Sequence, residues 1–176
     1  MSLLQRIGLS QAGPVPRNRV AAAIREQLGR FPSTRAEFVA AFAGLLVRVA
    51  YADLELSAPE RKRLPEILAT HAGLTSDEAG VVADVVVAQA TALSGIDYAA
   101  LTGAFNEVAG EDDKKCLVDC LYAIATADDT VTVPEDEEIR KVAQALLLSH
   151  AEFITIRSRY KEQLEVIRAL RQQRRS

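Results

Sequence analysis

One segment of the chain repeats at a constant offset, and that repeat limits the possible folds more than any other feature. Displaced by 75 positions, the separation of Asp53 from Asp128, Ala52 falls on Ala127, Leu56-Ser57 on Val131-Thr132 and Pro59-Glu60 on Pro134-Glu135. The register continues on both sides: Leu46 falls on Leu121, Val49 on Ile124, Leu64 on Ile139 and Ile67 on Val142. Both copies read Ala-Asp-x-x-(Leu/Val)-(Ser/Thr)-x-Pro-Glu-x-x-x-(Leu/Ile). A helix runs up to Ala-Asp, and a short turn follows. Ser or Thr, with Glu three residues on, then opens a second helix as a capping box. A duplicated helix-turn-helix is the economical explanation.

The remaining punctuation is also helical. Val20, Ile24 and Leu28 recur every four residues up to Gly29, which predicts a short amphipathic helix. Ser33 or Thr34, with Glu37 three beyond Thr34, opens a helix striped with Phe38, Phe42, Leu45, Leu46 and Val49, running to about Ala52. Ser57 opens the next, which ends at Gly73, and Thr75 with Glu78 opens another that closes at Ser94-Gly95. The valine run Val81–Val87 inside it is the one place where a strand competes. Helix is preferred there, because Ala and Gln surround it and no second strand exists to pair with it. Asp97 caps a helix to about Ala109, and another starts at Glu111. Thr132 with Glu135 and Ser149 with Glu152 open the last two, the final one running into Arg168 and beyond. The expectation is an all-α, single-domain bundle of about eight helices with two pseudo-symmetric helix-turn-helix repeats near 38–73 and 113–148. Residues 1–16, broken by Gly13, Pro14 and Pro16, read as a flexible arm, 17–32 as an N-terminal helix and 33–176 as the helical domain. With 49% hydrophobic residues, 5% aromatics and no Trp, the core must be filled mostly by aliphatic side chains.

Charge and cysteine usage narrow the function classes. The net charge of -3 gives no general reason to bind nucleic acid. Its distribution is uneven: Glu111–Glu138 carries ten acids against two lysines, and Thr155–Ser176 seven bases against two acids. A solvated acidic region with a basic helix end accounts for this, and so does a surface for a protein partner. Arg168, Arg171, Arg174 and Arg175 have no aromatics interleaved among them, so a nucleic-acid partner is not expected. Cys116 and Cys120 lie four apart on one helix, where no strain-free disulfide joins them, and read as reduced core residues. With only His71 and His150 elsewhere, they make a poor zinc signature. The first residues lack a signal-peptide apolar run, and no stretch approaches the roughly 20 apolar residues of a membrane span. A soluble, cytoplasmic protein is expected. No nucleophile–base signature, phosphate loop or dinucleotide fingerprint is present, so the chain is expected not to be an enzyme.

At its duplicated motif the sequence resembles the TerB family of tellurite-resistance proteins, whose relatives also precede the J-domain in some membrane-anchored co-chaperones. The family pattern is similar to Ala-Asp-Gly-x-(Ile/Leu)-Ser-x-x-Glu, twice. A segment like Leu-Ser-x-x-Glu-(Phe/Tyr)-x-x-Ile-Arg-x-(Arg/Lys)-(Phe/Tyr) follows, present here as Leu148 to Tyr160. The resemblance covers roughly residues 33 to 162. The Gly of the pattern is replaced by Leu54 and Asp129, which predicts turns that are strained or differently shaped. The resemblance implies an all-helical bundle with pseudo-symmetric halves, a stress-response setting and divalent-metal binding by the acidic motif residues. It implies no catalytic reaction.

The residues themselves leave two readings of Asp53, Glu60, Asp128 and Glu135. Asp53 ends one helix and Glu60 begins the next, so a tight turn can aim both carboxylates into one pocket, and Asp128 and Glu135 repeat the arrangement. Four such carboxylates suit a hard or borderline divalent metal ion that keeps several waters. Alternatively, Glu60 and Glu135 stand where a capping box wants Glu, and each Asp satisfies turn amides, so that no ligand is needed. A capping Glu has a second oxygen, so the readings are compatible. An EF-hand does not fit: counted from Asp53, the sixth position is Ala58 and the twelfth Leu64. The function expected is a non-enzymatic stress-response protein binding a divalent metal through these four residues. The alternative is a metal-free protein–protein interaction or scaffolding module.

Overall fold

The computed structural model describes residues 29, 31–50, 58–93, 98–127, 129–165 and 167. Within them lie seven helices: α1 (Ser33–Ala50), α2 (Ala58–His71), α3 (Ser76–Leu93), α4 (Tyr98–Val108), α5 (Glu111–Ala125), α6 (Val133–Ala145) and α7 (His150–Ser158). The helix expected from Val20 to Leu28 and the arm before it lie outside the described residues. The valine run is helical within α3, with Val81 and Val82 in the core.

The boundaries follow local chemistry. Thr132 and Ser149 each accept a hydrogen bond from the N–H three residues on, while Glu135 and Glu152 reach back to the N-cap N–H. Thr75 and Glu78 exchange the same pair of bonds at the start of α3. Pro59 sits in the first turn of α2 and Pro134 in that of α6, where a missing N–H costs nothing.

The repeat extends one helix further than the sequence motif. Helices α1-α2-α3 and α5-α6-α7 form corresponding triplets, with α4 between them. Because α2 has 14 residues and α6 has 13, the offset falls by one after the second helix. Gly73 (φ 59°) then corresponds to Leu147 (φ 64°), Leu74 to Leu148, Thr75 to Ser149 and Glu78 to Glu152. Leu148 N–H bonds to Ala143 O (3.1 Å) and Leu147 N–H to Gln144 O (3.0 Å). This is a Schellman ending with a leucine where glycine is usual.

A single contiguous core runs through both halves. Phe38, Phe42 and Phe105 cluster with ring centroids 5.3–6.1 Å apart, joining α1 to α4. At Gly44 an added Cβ would meet Leu101 Cδ2 at 2.7 Å, so the seating of that leucine against α1 relies on the missing side chain. In the second half Tyr122 stacks on Tyr160 (5.2 Å, 17°) beside Phe153. Among the described residues no helix is long and apolar enough to cross a membrane.

The last helix is broken after Ser158 rather than running on continuously as expected, and helical backbone resumes at residues 165 and 167. It stops at Ser158, the chain turns through residues 159–163, and Leu164 forms an isolated parallel bridge with Val131. Long-range bonds explain the stop: Tyr160 is drawn to Asp119 and the backbone of Gln163 and Glu165 to Val131, and these replace the helical pattern.

Candidate functional site

The second acidic turn leaves α5 at Thr126, where Ala127 N–H bonds to Ile124 O (2.9 Å) and Asp129 N–H to Thr126 O (3.0 Å). Asp129 adopts φ 68°. Of the two alternatives, a strained or a differently shaped turn, the second copy shows a non-glycine residue in the left-handed region. Asp is among the few residues that tolerate the left-handed region.

Beyond the turn, Glu135 is only 6% exposed. Its Oε2 accepts from both the N–H and the hydroxyl of Thr132, each at 2.7 Å, so the capping bonds fall on one oxygen of the carboxylate. Glu60 lies in the first turn of α2, the corresponding place. Asp53, Asp128 and the side chain of Glu60 lie outside the described residues. Among the described residues, no group of three or more His, Cys, Asp and Glu side chains is arranged to hold a metal ion.

The segment Leu148–Tyr160 locks this region in place. Arg157 bonds Asp136 through Nε (2.9 Å) and Nη2 (2.6 Å), and Tyr122, fully buried, donates its hydroxyl to the same carboxylate at 2.7 Å. Burial opposes ionisation of Asp136, but the bonds from Arg157 and Tyr122 outweigh it and hold the carboxyl below its usual range. Burial, then the bond to Asp136, push the Tyr122 phenol well up. Arg159 and Tyr160 converge on Asp119, at 3.0 and 3.1 Å from Oδ1, and His71 at the end of α2 approaches its Oδ2 at 3.0 Å. Asp119 thus ties both triplets together. None of these pairings is local in sequence, and motif spacing did not reveal them.

Each triplet has a further clasp. Arg35 on α1 makes a two-pronged ion pair with Glu78, the capping residue of α3, and its guanidinium lies 4.5 Å over the Phe38 ring. The bond from Arg35 holds the Glu78 carboxyl below its usual range. Lys115 on α5 pairs with Glu152, the capping residue of α7, at 2.9 Å. The Ser149 hydroxyl and Lys115 bring Glu152 down to about 2. Between α5 and α7 opens a groove of about 480 Å³ lined by Lys115, Cys116, Asp119, Glu152 and Arg159. Cys120 is buried, as expected, whereas Cys116 is only partly so; burial raises both thiols, which keeps them protonated and unreactive. His150 is exposed.

With the helical triplets, the second acidic turn and the C-terminal lock described, the family model for tellurite resistance protein TerB matches residues 39–158. The chain belongs to the TerB family. Neither a curated protein nor a solved structure matches it. The TerB match runs from the body of α1 to the end of α7, so it takes in both copies of the acidic motif. In this TerB chain the lock residues Arg157, Asp136, Tyr122 and Asp119 lie within the matched span, whereas Tyr160 and the bridge at Leu164 lie beyond it.

Of the residues that the resemblance offers to a divalent cation at the second turn, the structure describes Glu135 alone, a buried carboxylate whose oxygen chemistry is of the kind hard cations take.

Proposed function

We propose that this TerB-family chain is a non-enzymatic, cytoplasmic stress-response protein that takes up a divalent cation at its acidic turns, through Asp53, Glu60, Asp128 and Glu135. Glu135 carries the reading. It is a buried carboxylate beside a turn whose Asp129 adopts the left-handed region. When bound, the ion supplies positive charge that offsets the clustered carboxylates. Calorimetric titration of the wild-type chain and an Asp53→Ala/Asp128→Ala variant with Mg²⁺, Ca²⁺, Mn²⁺ and Zn²⁺ tests this. Uptake of at least one ion by the wild type, lost in the variant, is expected. Absence of binding, or equal binding by the variant, sinks the proposal.

A second reading has its own observation. Glu78 and Glu152 make the same capping bonds outside the acidic motif, so capping alone accounts for Glu135. On that reading the acidic surface of α6 docks a protein partner with no ligand. Partners retained by the wild type and lost on Glu137→Lys/Glu138→Lys favour it, and partners insensitive to the change count against it.

A further inference from the structure

The two halves of the repeat carry opposite charge at equivalent positions. At the same displacement of 75, Arg61-Lys62-Arg63 of α2 fall on Asp136-Glu137-Glu138 of α6, directly after the shared Pro-Glu. Acids in the opening turns of a helix suit its dipole and cations there oppose it, so the run in α6 has a local account and the run in α2 has none. Arg61, Lys62 and Arg63 are all exposed. In α6, Asp136 is committed to Arg157 and Tyr122, and Glu138 receives a bond from Lys141 at 3.1 Å. Glu137 is exposed, and so is Glu165, whose carboxylate accepts a long bond from Val133 N–H at 3.3 Å.

The halves differ in shape as well as in charge. Helix α2 packs directly along α3, whereas the corresponding α6 and α7 barely meet. Between α6 and α7 a groove of about 340 Å³ opens, with Glu137 and Glu165 among its lining residues. Val133 and Ile154, 45% and 42% exposed, also line it, so two of the four exposed large hydrophobics among the described residues share this one groove. Three carboxylates line it against two guanidiniums, and Arg157 is already spent on Asp136. The other half presents a ridge. Ala58, Pro65 and Ala69 recur at helical spacing on the exposed side of α2, with Arg61 and Lys62 flanking them. A helix with a small apolar ridge and cations at its edges suits an apolar groove with acidic walls.

We propose that the chain binds a second copy of itself head to tail, with α2 of one copy lying in the α6–α7 groove of the next and Arg61 and Lys62 set against Glu137 and Glu165. One copy offers one ridge and one groove, so the contact is heterologous. The inference rests on the second reading given above and names its partner.

Sedimentation of the full chain tests it, in EDTA so that no divalent ion bridges copies, at about 0.05 M and about 0.5 M salt, between which charges become strongly screened. The average mass of the wild type should rise with concentration at low salt, and association should weaken at least tenfold at high salt. Arg61→Glu/Lys62→Glu and Glu137→Lys/Glu165→Lys each set like charges face to face and should each weaken it tenfold or more. An equimolar mixture of the two reversed chains, and a chain carrying all four changes, should associate to within about threefold of the wild type, since opposite charges meet again. If either reversal lowers the melting temperature by more than a few degrees, Lys62→Gln and Glu137→Gln replace the reversals and should each weaken association about threefold. A wild type that stays monomeric up to about 1 mM at low salt overturns self-association, and the second reading then stands or falls on other partners. Association that both reversals leave unchanged, or folded reversed chains that fail to associate when mixed, overturns this pairing of faces.

Discussion

Asp136→Ala isolates the C-terminal lock. The substitution removes the acceptor of the Tyr122 hydroxyl at 2.7 Å and both bonds from Arg157, at 2.9 and 2.6 Å. Tyr122 has no exposed surface through which water can replace the lost partner, so its orphaned hydroxyl costs about 1–3 kcal/mol. The Arg157 side chain is 24% exposed and recovers part of its solvation by turning outward, so its share stays below the roughly 3–5 kcal/mol of a deeply buried broken pair. The sum is about 3 kcal/mol, set against a total stability on the order of 5–15 kcal/mol. At roughly 4 °C per kcal/mol for a domain of this size, melting should fall by about 12 °C. Asp136→Asn keeps an acceptor for Tyr122 and should cost about half as much. In the Asp136→Ala background, Tyr122→Phe removes the orphan and should restore about 1 kcal/mol, a coupling that a double-mutant cycle measures by urea unfolding. If Asp136→Ala melts within about 2 °C of wild type, the lock contributes nothing and the reasoning fails.

Two further outcomes follow from backbone and charge. Leu147 is 75% exposed and held at φ 64°, where its partner in the other triplet is Gly73. Leu147→Gly should stabilise the chain by roughly 0.5–1 kcal/mol, as relief of left-handed strain exceeds the added freedom of the unfolded chain; destabilisation in urea would show that the leucine side chain matters more than its strain. Asp136, Glu78 and Glu152 all titrate below their ordinary range. Depressed carboxylates contribute stability that is complete above the unfolded-state value near 4 and is lost as pH falls through the folded-state value. Unfolding free energy should thus stay level from pH 7 to about 5 and drop below about 4, with a shallower drop in Glu78→Gln; a pH-independent profile would contradict the pairings.

The helices were legible because their signals are local. Thr75 with Glu78, Thr132 with Glu135 and Ser149 with Glu152 announce helix starts within four residues, and each makes the expected bonds. The family assignment was legible for a related reason, since the repeat fixes residue types at short spacing. What the sequence hid depends on distance along the chain. Arg157 finds Asp136, 21 positions away, and Arg35 finds Glu78 across 43. No periodicity marks such pairs. The end of α7 at Ser158 was hidden for the same reason, because the bonds that stop it come from Asp119 and Val131. Asp129 shows a subtler gap. The missing glycine pointed to a strained or differently shaped turn, and it is Asp129, a residue that tolerates the left-handed region, that takes the positive φ. At the candidate site, Glu135 was legible as a cap. The bridge that pairs Leu164 with Val131 was not, because a lone bridge leaves no alternating pattern.

The most direct test of the cation reading is anomalous diffraction from crystals grown or soaked with Mn²⁺. The account predicts an anomalous peak at the second acidic turn, within about 2.0–2.6 Å of a Glu135 carboxylate oxygen, the range in which hard divalent ions meet oxygen ligands. A well-ordered turn with no peak beside Glu135 at saturating Mn²⁺ would contradict it.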